Sequence, residues 1–269
     1  MELLKHKAMK KILLLLFVLP LLVMGQQQTY VPDDAFEQAL INMGYDNILD
    51  DYVLTANINT IGSLSISNKY INNLTGIEDF NSLTYLDCSY NEIWFLYLNQ
   101  NTLLSHLKCF NNDIDTLNVS NNFQLQFLEC NNNLIKVLDL KNNYNLKQLF
   151  AYENELQSVN VKNGNNNLIN IFMTSANNNL DCIMVDNVSH FNQHFSDTTP
   201  IWVNWYADID SGTIYSEDCN YTANVSEIPS NKTLSKITNT LGQETTPKIN
   251  TPLFYLYDDG TVEKKIILE

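Results

Sequence analysis

The chain has 269 residues and carries 30 Asp and Glu against 15 basic residues, every one a Lys, for a formal net charge of −15. Between residues 26 and 225 only 6 Lys face 23 acids; that field repels phosphate backbones, and without Arg there are no guanidinium forks to read bases, so nucleic acid is excluded as a partner. A hydrophobic content of 45% is enough for a packed core, and the length allows one large or two modest domains.

In chain order, the first element is an address. Residues 1–11 hold four Lys, residues 12–24 are apolar with Pro20 among them, and Gly25 supplies a small residue ahead of Gln26. A basic stretch, a short apolar stretch and a small residue make a secretory signal peptide over 1–25. Thirteen apolar residues fall short of the ~20 that span a bilayer, so the mature chain is expected to carry no transmembrane anchor. No Cys lies near the cleavage point, which removes a lipoprotein reading.

Residues 26–60 read as an N-terminal cap. Val31-Pro32-Asp33-Asp34-Ala35-Phe36-Glu37-Gln38-Ala39-Leu40-Ile41 predicts a helix capped by Asp33 or Asp34, with Phe36, Leu40 and Ile41 on one face.

The middle of the chain aligns with itself. Leu83-x-x-Leu86-x-Cys88-x-x-Asn91-x-Ile93 recurs from Leu104 and Leu125, and from Leu146 with Ala151 and Leu156 in place of Cys and Ile, each start 21 residues after the last. Weaker copies begin at Ile61 and Leu168, giving about six coils over 61–181. A second, shorter echo follows in each unit, as in Ile93-x-x-Leu96-x-Leu98-x-x-Asn101. A fixed period means a solenoid whose units bury their apolar faces only against one another. Apolar-polar alternation predicts two short strands per coil, about 4.8 Å from the next coil. Asn is abundant, at 40 residues against 8 Gly and 6 Pro. Asn tolerates left-handed φ, so Asn turns are expected in place of Gly turns. Asn91, Asn112, Asn133 and Asn154 are expected to stack as a column whose amides bond the next coil.

These repeats resemble the leucine-rich repeat family, in its bacterial 21-residue class with two nested halves. The V-P-D-x-x-F-E opening is similar to the N-terminal cap of internalin-like proteins. The resemblance implies a mainly β fold: a right-handed solenoid with a helical N-terminal cap and a C-terminal cap. Cys at the third apolar position, where most relatives place Leu, is a departure; Cys88, Cys109 and Cys130 read as small buried hydrophobes.

Residues 182–225 read as a C-terminal cap and linker, with bulk from Trp202, Trp205, Tyr206 and Tyr215. Cys182 and Cys219 lie outside the repeat column, and a disulfide between them would close a 37-residue segment. Their surroundings resemble the C-terminal cap of secreted bacterial leucine-rich repeat proteins, which favours the bridge. His190 and His194 lack the Glu of a zinc motif and an evident third ligand. The Asp208-Ile209-Asp210 segment has the flavour of a calcium loop without its distal acid, as does 46–51. No phosphate loop, nucleophile elbow or spaced carboxylate pair occurs. The chain reads as non-catalytic and without a cofactor.

Residues 226–269 change texture: two alternating runs, 251–257 and 262–269, flank Asp258-Asp259-Gly260, a hairpin signal. With Leu241-Gly242-Gln243-Glu244 and the Lys-rich final strand, this tail resembles the sorting domain of the type IX secretion system, a small β-sandwich-like module. Its usual Pro-Asn-Pro opening is degraded to Ile228-Pro229-Ser230-Asn231. The resemblance implies a partner in that secretion machinery and a secreted or outer-surface location on a Gram-negative bacterium.

Outward positions on the first strand of each coil form the expected concave binding face: Tyr85, His106, Lys108, Phe110, Phe127, Glu129, Phe150, Tyr152 and Phe172. Rings gathered on one exposed sheet suit a protein or peptide partner, in recognition or adhesion; they also suit a glycan in a polysaccharide-capture system. The second strands, read from Thr116 onward, are polar. A one-residue slip of register would turn any of these rings inward.

Overall fold

A computed structural model describes residues 26–195, 206–219, 234–238, 246, 252–257 and 262–266. The expected signal peptide, Trp202, Trp205 and the turns of the tail lie outside these residues. The chain divides into two compact units, residues 1–219 and 220–269.

The first unit opens with β1 (Gln28–Tyr30), antiparallel to β2 (Tyr52–Leu54), around helix α1 (Asp34–Asn42). Asp33 caps α1, its Oδ1 accepting the Phe36 N–H at 2.9 Å. Its Oδ2 accepts the N–H groups of Asn72 and Asn73 on the first coil, both at 3.0 Å. Phe36 is buried and stacks on Phe80 at 6.3 Å. Glu37 is also fully buried, its carboxylate taking the N–H groups of Asp50, Asp51 and Tyr52 at 3.0–3.2 Å. A buried carboxylate needs such partners. Gly76, at φ +103°, lets the first coil meet this cap: a Cβ there would lie 2.8 Å from the Tyr30 carbonyl oxygen. A short helix, α2 (Thr55–Ile58), leads into the repeats.

The solenoid is mainly β. Its first strands are β3 (Ser63–Ser65), β4 (Tyr85–Asp87), β6 (His106–Lys108), β8 (Phe127–Glu129), β10 (Gln148–Phe150), β12 (Ile171–Met173) and β14 (Tyr206–Asp208). They form one parallel seven-stranded sheet in that order. The second strands are β5 (Phe95–Tyr97) and β7 (Thr116–Asn118), which pair, and β9 (Val137–Asp139), β11 (Ser158–Asn160), β13 (Cys182–Met184) and β15 (Ile214–Ser216), which form a four-stranded parallel sheet. The central residue of each three-residue first strand points inward, from Leu64 through Leu86, Leu107, Leu128 and Leu149 to Phe172. One core runs from Val31 to Tyr215. The segment read as a C-terminal cap thus adds strands to both sheets, and helix α3 (Val188–His194) lies between them in sequence.

The Asn column exists, with its bonds directed to the preceding coil rather than the next. Asn133 Nδ2 donates to the carbonyls of Cys109 and of Cys130, both at 3.0 Å, while its Oδ1 accepts the Ile114 N–H at 3.0 Å. Asn91, Asn112, Asn154 and Asn177 repeat the arrangement. A second column, Asn101, Asn122 and Asn143, donates to carbonyls of the preceding coil on the other side. Left-handed φ, near +52° to +55°, falls on the residue just before the first column. That residue is Tyr90, Asn111, Asn132, Glu153 or Ala176, and only two of the five are Asn. The columns therefore account for Asn usage here better than left-handed turns do.

Cys182 and Cys219 form a disulfide, with Cα atoms 6.0 Å apart. Cys88, Cys109 and Cys130 are free and fully buried. Burial raises all three thiol pKa values, that of Cys130 to about 12.

In the second unit β16 (Leu234–Thr238), β17 (Pro252–Tyr257) and β18 (Val262–Ile266) form an antiparallel sheet with β17 central. The expected pairing of the last two strands is present. The described residues give one sheet, not a sandwich.

Candidate interaction surface

Register across the seven-stranded sheet sets two outward rows. The first runs Ser63, Tyr85, His106, Phe127, Gln148, Ile171, Tyr206; the second runs Ser65, Asp87, Lys108, Glu129, Phe150, Met173, Asp208. Period two keeps both rows on the side opposite the core. Beyond the strand ends Phe110 and Tyr152 are half-buried at equivalent positions, whereas Ser89 and Asn131 of the same row are buried.

The rings form a chain of contacts. Tyr85 lies 6.3 Å from His106, His106 stacks on Phe127 at 6.0 Å, and Phe127 meets Phe150 at 5.5 Å. Phe110 packs edge-on to Tyr90 at 5.0 Å. Lys108 Nζ is 3.2 Å from Glu129 Oε2 and 5.3 Å from the Phe127 ring centroid. Partial burial disfavours the Lys108 ammonium, but the Glu129 carboxylate outweighs it, with help from Tyr85 and Asp87, and the pKa is raised. The Tyr152 phenol is likewise raised, by burial first and then by Glu129 and Glu153.

Phe172 does not belong to this surface. The unit starts at Ile169, 23 residues after Leu146, so Phe172 takes the inward Leu position in register with Leu149. It is fully buried against Phe191, Phe195 and Tyr215 at 5.7–6.4 Å. Ile171 and Met173 take the outward places. Tyr206, expected as cap bulk, instead extends the first outward row and is exposed.

Asp208 and Asp210, the calcium-like segment, close the last coil. Asp210 accepts the N–H groups of Ala176 and Asn177 at 2.8 and 2.7 Å, and Asp208 accepts the Ser175 hydroxyl at 2.7 Å. The His190 and His194 rings lie 4.2 Å apart on α3, tilted by 32°. Among the described residues no three His, Cys, Asp or Glu side chains are grouped to hold a metal ion, and no helix is long and apolar enough to cross a membrane.

Exposed rings also stand on and just before β5, on the side of the second strands. Trp94, Phe95 and Tyr97 are 57%, 49% and 42% exposed, with centroids 5.9 and 6.5 Å apart in sequence order. The same counting from Ile93 that gave Thr116 and Asn118 from Ile114 would have found Phe95 and Tyr97.

No family model matches the chain, and no curated protein matches it significantly. Among solved structures it is similar to the functional domain of InlJ from Listeria monocytogenes, which includes a cysteine ladder. That match has 26% identity and a TM-score of 0.50 over 59% of this chain and 38% of that one. It is also similar in fold to the internalin InlF of the same species, at 16% identity and a TM-score of 0.52 over 70% of this chain and 60% of that one. The chain therefore spans less than two thirds of either structure. The fold is a leucine-rich repeat solenoid of the internalin kind, and Cys88, Cys109 and Cys130 stand on three successive coils of it.

Proposed function

We propose that this chain is an exported, non-catalytic leucine-rich repeat protein that binds a protein or peptide partner on the outward side of its seven-stranded sheet. The observation that carries this reading is the continuous run of half-exposed rings from Tyr85 through His106 and Phe127 to Phe150. A solvated surface gains little from such a run, while aromatic anchors dominate protein interfaces. The likeness to InlJ and InlF supports an interaction role. Export rests on the sequence of residues 1–25. The resemblance of residues 226–269 to the type IX sorting domain supports delivery to the outer surface of a Gram-negative bacterium, or release from it.

A second reading, a glycan-binding accessory protein, is favoured by the Trp94, Phe95 and Tyr97 row, because sugars stack their apolar faces on exposed rings. The test is capture from a bacterial surface extract and on a glycan panel. The protein is compared with a Phe127→Ala, Phe150→Ala, Tyr152→Ala variant of equal melting temperature. Loss of a protein partner in the variant supports the first reading. Retention of that partner refutes it, and glycan capture lost only on truncating Trp94 and Phe95 supports the second.

A further inference from the structure

The acidity of the chain is not spread evenly over the two sheets. On the ring-bearing side Asp87, Glu129 and Asp208 stand in one outward row with Lys108, and Glu153 and Asp210 lie beside it. On the opposite side the corresponding positions of β9, β11, β13 and β15 hold Asp139, Asp186 and Asp218 against Lys141 and Lys162, and Lys141 is paired to Asp139 at 2.9 Å. Opposite potential steers and registers a partner, so this side favours positive charge.

The sheet also contains an example of how it holds a cation. The Lys108 ammonium sits between the Glu129 carboxylate, at 3.2 Å, and the face of Phe127, 5.3 Å from its centroid. Glu129 is only 19% exposed, so its charge is screened less than that of a free surface acid. An ammonium or guanidinium placed over a ring and against a carboxylate gains from both.

Resting on the binding reading above, we infer that the partner segment is basic: an extended polypeptide stretch presenting Lys or Arg beside apolar side chains. The apolar groups meet Phe127, Phe150 and Tyr152, and the cations meet Asp87, Glu129 and Glu153. Lys108 occupies in advance a place that a partner's cation would take.

A random dodecapeptide phage library panned on the purified protein tests this. Enriched peptides are expected to carry Lys or Arg next to aliphatic or aromatic residues. Their binding should weaken about tenfold or more when NaCl is raised from about 0.05 M to about 0.5 M. Asp87→Asn with Glu153→Gln should weaken it too. Lys108→Met frees Glu129 and should tighten cationic peptides about threefold or more, whereas a purely structural Lys108 would give unchanged or weaker binding.

Peptides lost by the triple ring variant but showing no cationic bias, no salt dependence and no response to Lys108→Met overturn the inference and leave the binding surface standing. Peptides indifferent to the triple ring variant overturn the surface itself. Failure to enrich any peptide counts against both.

Discussion

Replacing Asn133 by Ala removes one rung of the column that ties successive coils together. Asn133 is 6% exposed, so water does not replace what it gives up. The Ile114 N–H loses its acceptor, and the Cys109 and Cys130 carbonyls each lose one of two Asn donors, keeping Asn112 and Asn154 respectively; the three lost bonds are all 3.0 Å in the native state. At about 1 kcal/mol net for each buried bond, the cost is about 3 kcal/mol. For a unit of this size that lowers the melting temperature by roughly 6–12 °C. The assay is chemical denaturation followed by circular dichroism, with Asn121→Ala as the matched control. Asn121 is exposed and makes one long bond, 3.4 Å, to the Asn99 carbonyl, so that change should stay within about 0.5 kcal/mol. Equal effects for the two variants, or a loss below about 1 kcal/mol at Asn133, would refute the account of how the coils are held.

Four further outcomes are expected. Ala176→Gly relieves a residue held at φ +55° and should stabilise the solenoid by about 1 kcal/mol, read from the same denaturation curves. Reducing the Cys182–Cys219 bridge releases a 37-residue loop, about 4 kcal/mol in the chain-entropy account. Before any unfolding, a thiol reagent should label none of Cys88, Cys109 and Cys130, and after denaturant all three. Burial first, and then the neighbouring His194, lowers the His190 pKa below 6.5. The unfolded chain therefore binds the extra proton more readily, and stability should fall as pH drops below 6.5 through that window. A melting curve series in pH should flatten on that side for His190→Asn.

The repeat and its inward face were legible because a 21-residue period fixes the register by itself, and Leu86, Leu107, Leu128 and Leu149 fall where counting puts them. The reading failed where the period broke. Residues 162–167 insert two positions and are mostly Asn, so several Asn residues compete for the column. A start at Leu168 fits as well as one at Ile169, and that one-residue slip turned Phe172 outward on paper. The Cys pair could be found because it stood outside the column. The roles of Asp33 and Asp210, each covering backbone N–H groups of a terminal coil, could not, since the contacts span 39 and 33 residues with no local pattern. Phe95 and Tyr97 were legible by simple counting from Ile93, whereas Trp94 falls between the counted positions. The direction of the Asn bonds depends on how coils stack, which no single repeat encodes.

The central claim is that the partner lies on the seven-stranded sheet. A photo-crosslinking residue placed at Gln148, in the row beside Phe127, and separately at Thr116, on the opposite sheet, tests it in one experiment on the surface extract. The account predicts a covalent partner adduct from Gln148 and none from Thr116. An adduct from Thr116 alone would contradict it and move the site to the other sheet.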